Sequence, residues 1–182
     1  MTQSQLSNMR SQFDRYVNRF AGAGGGLHSL LQLKLEHSEC VATEARELSS
    51  DLGWTLSDQH LADAIGLLHD VGRFSQFAEY GTFSDGGSVD HGERGAAVIE
   101  QEGWLAALPD GDRAAILKSV RNHNRLIIPA HIRDRSLAFL CLVRDADKLD
   151  IFRVVLDALE RDGFRDLTAM LPHVTLDRRL SP

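Results

Sequence analysis

An all-α fold, a compact single-domain helical bundle, is what the sequence predicts, and three observations carry that expectation. Apolar residues recur at three- and four-residue steps in nearly every long segment, no pair of segments alternates like partnered strands, and Gly-, Pro- and Asp-rich breaks fall between the periodic stretches. A chain of 182 residues with 43% apolar and 25% charged residues can bury one core without requiring a second domain.

The elements follow in order. Residues 4–20 place Leu6, Met9, Phe13, Tyr16, Val17 and Phe20 on one face of an amphipathic helix, which the glycine run 21–26 breaks. That run lacks the Gly-Lys-Ser/Thr ending of a phosphate loop and reads as a connector. Leu31, Leu35, Val41, Ala45 and Leu48 support a second helix over 28–52, with His37 in its middle and Gly53 as its stop. Ser57 with Asp58 predicts the N-cap of a third, running through Leu61, Ile65 and Leu68 and ending at His69-Asp70. Residues 80–90 read as a loop. A helix over 93–100 then opens behind His91, and another over 112–121 ends before His123. The longest periodic segment is 136–159, where Phe139, Leu142, Ala146, Leu149, Phe152 and Leu156 form one expected buried stripe, with Asp145 and Asp147 set among them. Residues 1–26 are thus a first helix and connector, 27–160 the main helical domain, and 161–182 an extension that packs on it or frays.

The formal net charge of −6 argues against a nucleic-acid polymer or an anionic membrane as partner. Lys34, Lys118 and Lys148 are the three lysines, so most positive charge is arginine, which suits bidentate contact with phosphate. Two cysteines without paired spacing, no apolar run near the ~18 residues of a membrane span, and no signal-peptide layout at residues 1–10 together predict a cytoplasmic protein. A homodimer, if one forms, is expected through the aromatic stripe of the first helix.

Four chemistry-bearing positions, His37, the pair His69-Asp70, and Asp145, lie at or within helices that must share one small core. Imidazoles with carboxylates suit a divalent Mn, Fe, Co, Ni or Zn ion, whereas a soft thiolate site would need cysteines. His28, His60, His131 and His173 read as ordinary structural histidines, and Cys40 as a packed thiol. His91 and His123 stand open between metal ligands and residues that touch substrate or simply pack.

The words around these residues are Leu35-Glu36-His37-Ser38-Glu39, then Leu68-His69-Asp70-Val71-Gly72-Arg73, then Arg144-Asp145-Ala146-Asp147-Lys148-Leu149-Asp150. Their order and spacing over residues 30–155 resemble the HD superfamily of metal-dependent phosphohydrolases. The resemblance implies a helical domain of that type with His37, His69, Asp70 and Asp145 around a first metal. His91 and His123 lie where dinuclear members place ligands of a second, bridged through the position of Asp70. It also implies a metal-bound hydroxide as nucleophile and a small phosphorylated substrate, a nucleotide first among the candidates. Arg73 matches a basic residue near the scissile phosphate, ahead of Lys148 or Arg94, and Asp147 is expected to orient a ligand or a substrate hydroxyl. The cyclic-dinucleotide branch carries a Gly-Tyr-Pro word where this chain reads His123-Asn124-Arg125, so that substrate is not implied. The alternatives are a metal-containing module that senses a nucleotide without cleaving it and, behind it, a di-iron oxygenase.

Overall fold

The computed structural model describes residues 1–160, apart from the side chains of Asp134 and residues 157–160; the expected extension, 161–182, lies outside the described residues. Every described element is helical. In chain order these are α1 (Gln3–Val17), α2 (Ser29–Asp51), α3 (Leu56–Leu68), α4 (Gly72–Tyr80), α5 (His91–Gln101), α6 (Asp110–Asn122) and α7 (Asp134–Glu160), with 3₁₀ turns at Asn18–Phe20 and Asp85–Gly87. Among the described residues no helix is long and apolar enough to cross a membrane.

α3 is the centre of the bundle, buried at every position from His60 to Leu68, as expected of a helix that is apolar nearly all round. α2 runs along α3 and α7, α6 packs between α5 and α7, and α1 lies over α3. The stripe of α1 is core: Phe13 is fully buried, and its ring meets Phe74 edge-on at 5.8 Å. α2 and α3 touch backbone to backbone at Gly66, where a Cβ would stand 2.7 Å from the Cα of Ala42 and 2.7 Å from the carbonyl oxygen of Val41. Gly72 does the same for α4 and α5, since a Cβ there would collide with the carbonyl oxygen of His91. These two contacts bring the middle of α2, the end of α3 and the start of α5 to one place.

Three local expectations are corrected. Thr55, not Ser57, caps α3, its side chain accepting from the Asp58 amide, and Ser57 sits in the first turn. α4 fills the stretch between the third helix and the expected loop, for which the sequence predicts no element, and takes in Tyr80 from that loop; at nine residues it is too short for a distinctive period. The α7 stripe holds only as far as Ala146, beyond which Leu149, Phe152 and Leu156 are 45%, 64% and 59% exposed. Three- and four-residue steps fit Asp147, Asp150, Ile151 and Val154 equally well, and that second register is the one turned inward.

Candidate metal centre

Five helices deliver one group of side chains. His37 comes from the middle of α2, His69 and Asp70 from the turn after α3, His91 from the first residue of α5, His123 from the C-cap of α6 and Asp147 from α7. Asp70 is at the middle. Its Oδ2 lies 3.8 Å from His37 Nε2 and 3.6 Å from His69 Nε2, and its Oδ1 lies 3.3 Å from His91 Nε2 and 3.5 Å from His123 Nε2. Asp147 Oδ1 closes the first group, 3.0 Å from His37 Nε2 and 3.7 Å from His69 Nε2. Two sets of donors, His37–His69–Asp70 and Asp70–His91–His123, therefore share one carboxylate, and each is compact enough to hold an ion.

The outer ring nitrogens explain why the inner ones converge. His69 Nδ1 donates to the carbonyl oxygen of Gly66 at 2.6 Å and His123 Nδ1 to that of Val120 at 2.8 Å, each one helical turn back. His37 Nδ1 instead donates to Asp150 Oδ2 and His91 Nδ1 to Asp85 Oδ2, both at 2.6 Å. With every Nδ1 carrying a hydrogen that is already engaged, each Nε2 of a neutral ring presents a lone pair. Those lone pairs face each other, at 3.3 Å between His37 and His69 and 3.1 Å between His91 and His123. Such pairs repel unless a cation sits between them, and ligands on a sphere of about 2.1 Å stand roughly 3 Å apart. The donor set thus fits one or two divalent ions, with outer carboxylates and carbonyls fixing the rings as metal sites require.

The protonation states of His69 and His91 agree. Burial pushes His69 down to about 4, against the pull of Asp70 and Asp147, and burial likewise lowers His91, so both are neutral near pH 7. His37 is the exception: burial and Lys34 oppose its charge, but Asp147 and Asp150 raise it above the ordinary value. Burial also opposes ionisation of Asp70, yet Lys34, His69 and Arg73 hold it well below the usual carboxylate range.

The group forms the base of a cleft of about 200 Å³. Lys34 Nζ reaches Asp70 Oδ2 at 2.7 Å, and Arg73 Nε lies 3.5 Å from Asp70 Oδ1, buried and without a hydrogen bond. Both cations rest 5.8 Å from the centre of the Phe83 ring. The apolar part of the lining is Ile151, Val154 and Val155 of α7.

Asp145 is not in this group, which corrects the expectation that it is a metal ligand. Its side chain is 70% exposed and faces Lys148 at 3.6 Å. Two residues along a helix differ by about 200° in direction, so only one of Asp145 and Asp147 can point inward, and Asp147 shares the inner register of Val143, Asp150 and Ile151. Lys148 is accordingly outside the cleft, and Arg94 is engaged by Glu79 and Ser75, whereas Arg73 lines the cleft. Lys34, Asp85, Asn124 and Asp150 were not expected here. Only Lys34 and Asp150 carried a signal: Lys34, three residues before His37, shares its helical face, and Asp150, three residues after Asp147, shares that of Asp147. The sequence model of the HD domain family matches residues 35–160, more than half of the chain. No curated protein and no solved structure gives a significant match.

Proposed function

The chain belongs to the HD domain family, generally metal-dependent phosphohydrolases, and from that membership we propose that it hydrolyses a phosphate ester of a small molecule, a nucleotide first among the candidates. The observation that carries this reading is the ring of four imidazole Nε2 atoms around Asp70, at the base of a cleft that also holds Lys34 and Arg73. In this reading His37, His69, Asp70 and Asp147 hold one ion, and His91 and His123 hold a second through the shared Asp70. One or two ions of Mn, Fe, Co, Ni or Zn, when bound, supply a water of lowered pKa and positive charge beside the phosphoryl oxygens.

The chain's own residues do the rest. Lys34 and Arg73 flank Asp70 and draw the phosphoryl group into the cleft. Arg73, already fixed by the carbonyl oxygen of Phe83 and by Asp85, offers its Nε, which makes no hydrogen bond, to the charge that grows on those oxygens during transfer. Ile151, Val154 and Val155 exclude water from their part of the cleft and receive the organic part of the ester.

The test is release of phosphate or nucleoside from a panel of nucleotides and other phosphoesters, with each metal supplied and Asp70→Ala as control. Release that needs both the metal and Asp70 establishes the hydrolase. A silent panel from metal-loaded protein, with a nucleotide still raising the melting temperature, would instead identify a sensing module.

A further inference from the structure

The two histidine pairs are built alike but supported unequally. In each pair one ring is fixed by its own helix, His69 through Gly66 and His123 through Val120. The other ring depends on a carboxylate from elsewhere in the chain. For His37 that carboxylate is Asp150, whose side chain has no exposure, in the body of α7, with Arg153 Nε donating to its other oxygen at 2.9 Å. For His91 it is Asp85, 32% exposed, on the 3₁₀ turn between α4 and α5.

Asp85 also serves more than one partner. Its Oδ2 accepts from His91 Nδ1 at 2.6 Å and Asn124 Nδ2 at 3.2 Å, while its Oδ1 accepts from Arg73 Nη1 at 2.8 Å and Gln76 Nε2 at 3.0 Å. One carboxylate in a loop therefore orients both the imidazole of the second group and the guanidinium beside Asp70. Gln76, fully buried on α4, lies within hydrogen-bond distance of Ser88 and of the Val89 carbonyl oxygen, so the loop is anchored where Asp85 needs it.

We propose that Asp85 is a positioning residue that makes the Asp70–His91–His123 group a separate, loop-dependent and more exchangeable metal position, and that couples its loading to the grip of Arg73 on phosphate. This rests on the metal-dependent reading above. A metal-bearing ring that loses its outer carboxylate keeps its donor atom but not its direction, which typically costs 10- to 100-fold in metal affinity.

The test is calorimetric titration of the metal-stripped full chain with Mn or Zn, with bound metal counted by elemental analysis, in the wild type, Asp85→Asn, Asp85→Glu, Asp150→Asn and His91→Gln. Melting temperatures are read in parallel, and affinity for inorganic phosphate is measured on the loaded proteins. The expected result is two ions in the wild type, with Asp85→Asn losing 10- to 100-fold at the weaker ion alone, as His91→Gln does, and binding phosphate more weakly. Asp150→Asn should weaken the tighter ion, and Asp85→Glu should restore part of the loss. Two ions held by Asp85→Asn at wild-type affinity, a single wild-type ion indifferent to Asp85, or equal loss of both ions in Asp85→Asn overturns the inference while leaving the hydrolase reading standing. A wild type that binds no metal removes the hydrolase reading itself. If Asp85→Asn fails to fold, Asp85→Ser, which also lacks the carboxylate, decides: full wild-type affinity at both ions counts against the inference, and selective weakening of the weaker ion supports it.

Discussion

Asp147 touches His37 and Asp145 touches solvent, although only Ala146 lies between them. Replacing each with asparagine separates their roles. Asp147→Asn is expected to lower metal affinity by about 10- to 100-fold and phosphate release with it, whereas Asp145→Asn should leave both unchanged, read by bound-metal analysis and by the release assay. His69 supplies a second prediction through its lowered pKa. The unfolded chain takes up a proton on this ring as pH falls through 6.5, while the folded ring resists until about 4, so its neutral burial favours folding above 6.5 and that advantage is lost toward 4. His91 acts in the same direction, and His37, raised rather than lowered, acts in the opposite one. Metal-stripped protein should therefore lose about 2 kcal/mol through His69 between pH 7 and pH 5. Denaturant unfolding at the two pH values measures this, and His69→Gln should flatten the slope; an unchanged slope would contradict the assignment.

At the scale of elements, the site depends on how closely helices approach. Gly66 allows α2 to rest on α3, which sets the His37 and His69 rings 5.1 Å apart. Gly66→Ala forces the backbones of Val41 and Ala42 away, so a loss of roughly 1–3 kcal/mol is expected in denaturant unfolding, with weaker binding of the first ion. The same mutation on an exposed helix face would be mildly stabilising, which makes the sign of the change diagnostic. Helix positions were readable in the sequence because each long helix shows its own period locally. α4 was not, nor was the face that the outer half of α7 turns inward. Nine residues hold too few turns to fix a period, and in α7 two registers, one through Leu149 and Phe152 and one through Asp147 and Ile151, satisfy the same spacing.

For the whole molecule, His69 and Asp70, in the turn after α3, together join side chains from α2, α5, α6 and α7. An ion bound there ties those helices together and stabilises only the folded chain. At a free metal concentration about 100-fold above Kd this is worth about 3 kcal/mol, or roughly 5–10 °C in melting temperature. Chelation should lower the melting temperature by that amount and re-addition of Mn or Zn should restore it, whereas Asp70→Ala protein should respond to neither. A melting temperature unmoved by chelator in protein shown to contain metal would mean that the ion does not bridge the helices.

The sequence by itself determined the all-helical class and the order of the long helices, because helical period is local, and it singled out His37 and the His69-Asp70 word from their surroundings while the residues alone left His91 and His123 open. It determined the family for the same reason, since the match over residues 35–160 follows the order of those words. Only the tertiary structure decided between Asp145 and Asp147, brought Lys34 to Asp70, and gave His37 and His91 their carboxylates, Asp150 from 113 residues away and Asp85 from a loop. Those choices depend on the rotation of each helix about its axis and on where two backbones can touch, and neither is fixed until the helices pack.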